Sequence, residues 1–439
     1  MNPIIENILP EYLCYWYYGG LGKFMRIFWH FMVFEFTRYV IIDFVVIFYF
    51  WLMRKERKRK WEAARRQLFT ENPFVSIIVP GKNEGKHLFK LVKSLNEQTY
   101  QNCELIIVDD GSDDQTPLIG SSLLRNGMLT KFLRNDMRGG KASAANLALR
   151  YSTGKYVVHL DADCSFDRDA IERVLIPFYL DPNIGGIGGN VKVRDFEDNL
   201  ASRLQAIEYL KTISMGRVVT STLRVYKIIS GAFGAFKMDA VRAIGGWDIG
   251  PGLDGDITVK LRKSGYRIYF EPTAICLTSV PANFKILKKQ RLRWDKSIIR
   301  FRVRKHNDLF TPYKEFKWGN FFAVFENVFY NVVLDIAWWL YLIDLLLNYS
   351  GALKFIIPMN ITLYVVSGYA QMIAIHLMSE RKEEELKLWP YVPLMVLYTG
   401  VFLRLVRTRA YIDEFFFRKS YDDPWNPVKS SSQAKASGF

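Results

Sequence analysis

The chain has 439 residues, 50% of them apolar and 15% aromatic, with a formal charge of +16 and four cysteines. The length allows one large domain or two modest ones. Cys14, Cys103, Cys164 and Cys276 are scattered, which excludes a disulfide scaffold and a cysteine-type metal site and fits a reducing compartment. The apolar residues gather at the two ends around a middle of ordinary soluble composition. The basic residues cluster beside them, where anionic lipid headgroups rather than nucleic acid would meet them.

Residues 2–34 are aromatic and weakly amphipathic, as expected of a segment at a membrane surface. Residues 35–53 form the first membrane candidate, interrupted by Asp43, which must then face protein or water. Charges follow this apolar run rather than precede it, so it lacks a signal-peptide layout. The basic run at 54–60 places that end, and the domain after it, in the cytosol.

From Val75 the pattern changes. Val75-Ser76-Ile77-Ile78-Val79-Pro80 reads as a buried strand, followed by a polar loop through Glu84 and an amphipathic helix to about Gln98. A second strand from Cys103 to Val108 ends in Asp109-Asp110-Gly111-Ser112, completing a βαβ unit with a parallel sheet. Acidic residues there are placed to accept hydrogen bonds from a nucleotide, although Asp-Gly alone is also a good turn former. Next, Gly139-Gly140-Lys141 precedes a small-residue helix, a combination of open backbone, helix N-terminus and cation that favours a diphosphate. The Walker spacing is absent, which excludes a P-loop ATPase.

The strand from Tyr156 to Leu160 then runs into Asp161-Ala162-Asp163. Strand side chains alternate between faces, so carboxylates two apart can point to one side and hold Mg²⁺ or Mn²⁺ together with substrate phosphates. The plainer alternative is a turn whose aspartates cap a helix over 167–175.

Taken together, V-S-I-I-V-P-x-x-N-E, V-D-D-G-S-x-D, G-G-K-A-x-A-x-N and L-D-A-D resemble glycosyltransferase family 2 and its Rossmann-like α/β nucleotide-sugar-binding fold, GT-A. The resemblance implies that Asp110 contacts uracil, that Lys141 contacts the diphosphate, and that Asp161 and Asp163 serve nucleotide and metal. It places Gly231, in Ser230-Gly231-Ala232-Phe233, at the acceptor sugar. Membrane polysaccharide synthases carry Thr-Glu-Asp or Glu-Asp near the position of Gly252-Leu253-Asp254-Gly255-Asp256. Aligning the helix that follows puts Asp254 on the catalytic aspartate, with Leu253 where Glu is usual, and leaves Asp256 as a rival. Both could instead cap a helix beginning near Ile257. Gln290-Arg291-Leu292-Arg293-Trp294 matches the Gln-x-x-Arg-Trp of processive members. There Arg293 would hold the leaving diphosphate, and Gln290 and Trp294 the acceptor, the indole serving as an apolar platform for a sugar ring. A membrane-interface anchor is the alternative for Trp294.

After residue 300 the chain returns to the membrane, with a basic aromatic stretch to 317 and apolar segments near 328–347, 355–378 and 388–406. Asp335, Asp344, Asn360 and Gln371 within them are candidates to line a polymer path, or to bond helix to helix. One span before the cytosolic domain and three after it put the C-terminus outside. Arg404, Arg407, Arg409, Arg418 and Lys419 argue for inside, so the last segment is either re-entrant or miscounted. The tail from Ser430 is expected to be too polar to fold alone, and no regulatory domain is expected after the last span.

The expected organisation is a GT-A domain inserted between transmembrane helices. Its parts are an N-terminal interfacial segment and span (1–53), a basic linker (54–72), the cytosolic transferase (73–299), an interfacial region (300–326), C-terminal spans (327–412) and a polar tail (413–439). The expected activity is processive, inverting transfer from a UDP-sugar, leaning to an N-acetylhexosamine, at the bacterial inner membrane. Partners would be the donor, the growing polysaccharide, the bilayer and accessory export or regulatory proteins, with no nucleic acid. The alternatives are single-sugar transfer to a lipid carrier and an inactive export channel or nucleotide sensor.

Overall fold

The structure, a computed structural model, describes residues 3–248, 252–311, 318–422 and 427–436. Its centre is a mixed sheet of eight strands: β1 (Val75–Gly81), β2 (Cys103–Asp109), β3 (Lys131–Arg134), β4 (Tyr156–Leu160), β5 (Cys164–Phe166), β6 (Ile184–Val193), β7 (Phe233–Lys237) and β8 (Arg267–Thr278). The order across the sheet is β3-β2-β1-β4-β7-β6-β8-β5. The first four run parallel, β7 runs antiparallel to both neighbours, and β6 and β8 pair in parallel. The near-continuous Val and Ile of β1 and β2 follow from burial on both faces, as parallel sheets require.

From β1 the chain steps outward to β2 and β3, then returns to β4 on the other side of β1. That reversal opens a crevice beyond the carboxyl ends of β1 and β4, where open α/β sheets bind ligands. The helix Gly85–Asn96 covers the sheet with buried Leu88, Leu91, Val92 and Leu95, the i, i+3, i+4, i+7 spacing of one face. The helix Lys141–Tyr151 presents Ala142, Ala145 and Ala148 instead, and these small side chains let its backbone approach the sheet closely.

Among the described residues, three helices are long and apolar enough to cross a membrane: Trp318–Asn348, Ser350–Met378 and Trp389–Phe417. They fall on the three expected C-terminal segments and run longer. The expected crossing at 35–53 is helical to Leu52 but is not among them, because Glu35, Arg38 and Asp43 interrupt it. Arg38 pairs with Glu326 at 3.4 Å, and Glu35 lies 3.7 Å from Arg404.

The last of these helices is also bonded to the α/β unit. Lys387, just before it, pairs with Glu197 at 2.6 Å, and the Tyr391 hydroxyl accepts from Arg203 at 2.6 Å. Tyr398 in its middle donates to Glu208 at 2.8 Å, and Glu414 near its end accepts from Arg304 at 2.7 Å. Both ends and the middle of Trp389–Phe417 are therefore bonded to residues 197–304, and the helix lies along the α/β unit. In the polar tail, residues Val428–Ala436 are helical and satisfy their backbone groups within the helix.

Glu104, at the start of β2 and 3% exposed, joins three parts of the sheet. It accepts from Ser76 Oγ at 2.7 Å, from Thr153 N at 2.7 Å and from Lys131 Nζ at 2.8 Å. Burial pushes its carboxyl up, but Lys131, Thr153 and Ser76 outweigh it and hold the group below its ordinary value. A depressed carboxylate stabilises the fold above its unfolded pKa, and that contribution fades as pH falls through the folded value. Glu104→Gln is expected to cost about 2 kcal/mol at neutral pH. The difference in thermal melting between variant and parent should shrink below the ordinary value of 4.5. A gap that stays constant from pH 7 to pH 3 would refute this account.

Candidate active site

The crevice beyond β1 and β4 gathers opposed charges. β4 ends at Leu160, and Asp161, Ala162 and Asp163 form a turn into β5, closed by Cys164 N donating to the Asp161 carbonyl at 3.4 Å. The two carboxylates are thus brought together by a turn and not by the alternation of a strand, because β4 stops one residue earlier than the motif. Lys141, the first residue of its helix, makes a close ion pair with Asp161. Burial would raise the Asp161 carboxyl, but Lys141, His159 and Arg293 hold it low.

Asp163 is raised by burial and by the charge of Asp161. Glu84, from the loop after β1, is pushed up to about 7 by burial and by Asp163 and Asp161. Three carboxylates of one sign therefore crowd the crevice. Among the described residues no group of three or more His, Cys, Asp or Glu is arranged to hold a metal by itself. The hard oxygen donors present, Asp161 and Asp163, are of the kind that Mg²⁺ or Mn²⁺ takes, one or two carboxylates with substrate phosphates and water completing the sphere. Arg194 secures the turn, donating to the Asp163 carbonyl at 2.9 Å and the Leu277 carbonyl at 2.8 Å.

Asp254 enters the same site from the opposite wall. Burial lowers the Lys141 ammonium, and Asp161, Asp254 and Asp163 together more than reverse this, so all three carboxylates act on one cation. Asp254 lies in the first turn of the helix Leu253–Lys263, which Gly252 starts with a left-handed φ of 87°. Neither Asp254 nor Asp256 caps that helix, which begins four residues before the expected start at Ile257. A Cβ on Gly231 would lie 2.5 Å from Asp254 Oδ1, so the carboxylate occupies space that only a glycine leaves. The Gly231 carbonyl is in turn bonded to His159 Nδ1 at 2.8 Å, linking β4 to Asp254 through the Gly231 loop. Thr258 Oγ1 donates to the Asp254 carbonyl at 2.6 Å and accepts from Ile229 N at 3.0 Å, fixing the helix to that loop.

The rival aspartate is committed elsewhere. Asp256 is 1% exposed and bonds Lys305 at 2.9 Å and His306 at 2.8 Å. Although burial would raise its carboxyl, His306 and Lys305 push it down to about 2.

The helix Phe284–Ile298, N-capped by Asn283 on Ile286 N at 3.0 Å, carries Gln290, Arg293 and Trp294. Arg293 acts electrostatically on Asp161. Gln290 Oε1 is buried with no hydrogen-bond partner among the described residues, and the Trp294 indole is 37% exposed.

The Asp110 carboxylate accepts from Gly139 N at 2.8 Å, Gly140 N at 2.7 Å and Asn135 Nδ2 at 3.0 Å. The Gly139 and Gly140 amides at the start of the helix Lys141–Tyr151 are therefore engaged by the protein's own Asp110. An exposed turn is legible in Asp-Gly, but its return onto the Gly139-Gly140 loop is a tertiary contact. Two participants carried a weaker sequence signal: Glu84 as the last letter of the first motif, and His159 as a polar residue inside an apolar strand.

The family model for glycosyl transferase family 2 matches residues 76–245. The chain is 31% identical over 250 residues to a poly-beta-1,6-N-acetyl-D-glucosamine synthase of Staphylococcus epidermidis, covering 56% of this chain and 60% of that one. It is 30% identical over 284 residues to a second such protein of Staphylococcus epidermidis, covering 64% of this chain and 67% of that one. A Staphylococcus aureus protein of the same name is 30% identical over 256 residues, covering 58% of this chain and 61% of that one. The chain belongs to glycosyltransferase family 2, and it spans about 60% of the length of the first of these relatives. Its fold is that of the mannosyltransferase PcManGT from Pyrobaculum calidifontis, solved with GDP-Man and Mn²⁺. The two superpose with a TM-score of 0.52 at 20% identity, over 85% of this chain and 99% of that one. The sheet is accordingly the GT-A sheet.

Gly231→Ala is expected to keep the fold and to lower turnover by about tenfold to a hundredfold by displacing Asp254. Asp256→Asn should instead lower the melting temperature, the uncoupling of Lys305 costing about 3 kcal/mol. Circular dichroism melts beside steady-state rates check both, and a Gly231→Ala protein with normal turnover would show that Asp254 is not confined as described.

Proposed function

We propose that this protein is a membrane-bound, inverting glycosyltransferase that polymerises a β-linked N-acetylhexosamine chain from a UDP-sugar, with N-acetylglucosamine favoured, and passes the product across the membrane. The observation that carries the reading is the convergence of Asp254, Lys141, Asp161 and Asp163 at the switch point of the GT-A sheet. The relatives named poly-beta-1,6-N-acetyl-D-glucosamine synthase support the choice of sugar.

In this mechanism Asp254 takes the proton from the acceptor hydroxyl as that oxygen bonds to the anomeric carbon. The bond from that carbon to the UDP oxygen breaks on the opposite face, and an α-linked donor becomes a β-linked product. Lys141 and Arg293 stabilise the charge that grows on the departing diphosphate. Asp161 and Asp163 would hold Mg²⁺ or Mn²⁺, which when bound neutralises diphosphate charge. Gln290 and Trp294 hold the end of the growing chain, its ring on the indole face.

Export is supported by buried polar atoms in the helices outside the sheet that have no partner among the described residues, including His30 Nε2, Asp335 Oδ1, Tyr341 OH and Arg404 Nε. Such atoms in an apolar bundle suit a path for a hydroxyl-rich polymer. Asp335 and Gln371 are buried, whereas Asp344 bonds Asn348 at 2.7 Å on an exposed face, so the first two fit the path better.

The topology we infer has Trp318–Asn348 and Ser350–Met378 as an outward and returning pair, with Trp389–Phe417 lying along the cytosolic domain. The N-terminal helix begins beside the far turn of that pair, where Glu11 pairs with Lys354 at 2.8 Å and Tyr15 stacks on Phe355 at 4.2 Å. The later helix Arg54–Glu71 lies beside the sheet, where Arg65 pairs with Glu172 at 2.5 Å. This arrangement keeps Arg404, Arg407 and Arg409 on the cytosolic side, as their charge requires.

The test is to incubate the purified protein in lipid nanodiscs with each UDP-sugar and Mg²⁺ or Mn²⁺, and to weigh the product by mass spectrometry. A ladder of N-acetylhexosamine units is expected from UDP-N-acetylglucosamine. Asp254→Asn should lower its formation by about 10²–10⁴-fold with UDP affinity retained. A product carrying a single added sugar would overturn processive synthesis, and an active Asp254→Asn protein would remove that residue as the base.

A further inference from the structure

Trp294 is 37% exposed, so its indole is held by what lies beneath it rather than by enclosure. Beneath it is Arg291, one helical turn back on the same face, with its guanidinium 4.4 Å from the indole centroid. Arg291 is itself buried and is bounded on another side by the Tyr209 ring at 5.8 Å. Its Nη2 donates to Glu208 Oε2 at 3.0 Å. The same Glu208 oxygen accepts from the Tyr398 hydroxyl at 2.8 Å.

One buried carboxylate thus joins three elements: the helix Leu200–Tyr209 of the α/β unit, the helix Phe284–Ile298 that carries Trp294, and the helix Trp389–Phe417 beside the membrane. Phe284 packs edge-on against Phe402 at 5.4 Å, and Lys296 lies 3.8 Å from Asp413, so the two longer helices also meet on either side of that junction. Arg291 occupies an unspecified position of Gln-x-x-Arg-Trp, and neither Glu208 nor Tyr398 belongs to any motif in the sequence.

We propose that Glu208 is a positioning residue for chain elongation: through Arg291 it fixes the Trp294 platform, and through Tyr398 it sets that platform against the helix lying along the membrane. The inference rests on the reading of Trp294 as the acceptor platform. Glu208 does not touch the reacting atoms. Its carboxylate keeps a buried cation aimed at the underside of the indole, and cation and ring attract. Without it, the guanidinium is left buried and unpaired. It would then turn toward Asp295, whose charge already acts on it, and withdraw from the ring. Trp294 would lose its support while the donor site at Lys141, Asp161 and Asp163 stays intact.

The experiment compares Glu208→Ala, Glu208→Gln and Tyr398→Phe in the full chain in nanodiscs. Donor KM, acceptor KM for a soluble oligosaccharide, product length and amide hydrogen exchange are read for each. Glu208→Ala should raise acceptor KM by about tenfold to a hundredfold and shorten the product, with donor KM held within about twofold. Glu208→Gln keeps an acceptor oxygen for both donors and should recover most of the product length. Tyr398→Phe loses one hydroxyl, folds more safely, and should shorten the product less than Glu208→Ala. Faster exchange across residues 284–298 in Glu208→Ala and Tyr398→Phe is expected whatever the reaction proves to be.

Unchanged product length in both Glu208→Ala and Tyr398→Phe overturns the inference while leaving the polymerase reading standing. Equal losses in donor and acceptor KM overturn it as well, since a merely structural role would move both. If the parent chain makes no polymer, the polymerase reading fails, and the exchange data still report whether Glu208 orders the Trp294 helix.

Discussion

Everything at the candidate site depends on one ion pair, that of Lys141 with Asp161, set among carboxylates that repel one another. Glu84, Asp161, Asp163 and Asp254 converge on a crevice where burial already disfavours charge. Lys141 and Arg293 offset part of that repulsion, and Lys141 serves three of the carboxylates at once. Under the proposed function, a divalent cation held at Asp161 and Asp163 would relieve the remaining like-charge crowding, and substrate phosphates would complete its coordination. The backbone around the pair is correspondingly constrained. A turn begins where β4 ends, a glycine yields space to Asp254, and a buried histidine holds that glycine's carbonyl.

The helices outside the sheet are attached by the same kind of interaction at low exposure. Lys192 pairs with Glu385 at 2.7 Å, and Arg304 with Glu414 at 2.7 Å. Lys227 and Arg38 share Glu326. Burying both partners of such pairs brings little net stability, but removing one leaves an uncompensated charge, so each pair selects one docking of helix on domain. Under the proposed function, in which the product passes to the adjacent bundle, that docking has to be unique. The helix Trp389–Phe417 shows the result, being bonded to the α/β unit along its whole length.

Much of the fold was legible in the sequence because parallel strands buried on both faces must be continuously apolar, and their ends must be marked by turn-forming and charged residues. The strand Tyr156–Leu160 is found with the bounds its apolar run implies, and the Lys141 helix starts after its two glycines as expected. Family membership was carried by four short motifs in order, three of them at strand ends and one at the start of the helix Lys141–Tyr151. The apolar helices were legible from composition alone, since a run of that length has few alternatives to burial in lipid.

What the sequence determined by itself is therefore local and periodic: the strands, the helices, the motifs at their junctions and the apolar character of the C-terminal region. Contacts between distant segments were settled only by the tertiary structure. Asp110 turns back onto Gly139 and Gly140, Asp256 is taken by Lys305 and His306 while Asp254 faces Gly231, and the last apolar helix lies along the α/β unit. The reason is physical. An aspartate two residues from another has the same propensity and charge, and only the groups that surround it in three dimensions decide whether its carboxylate is spent on the fold or left for a ligand.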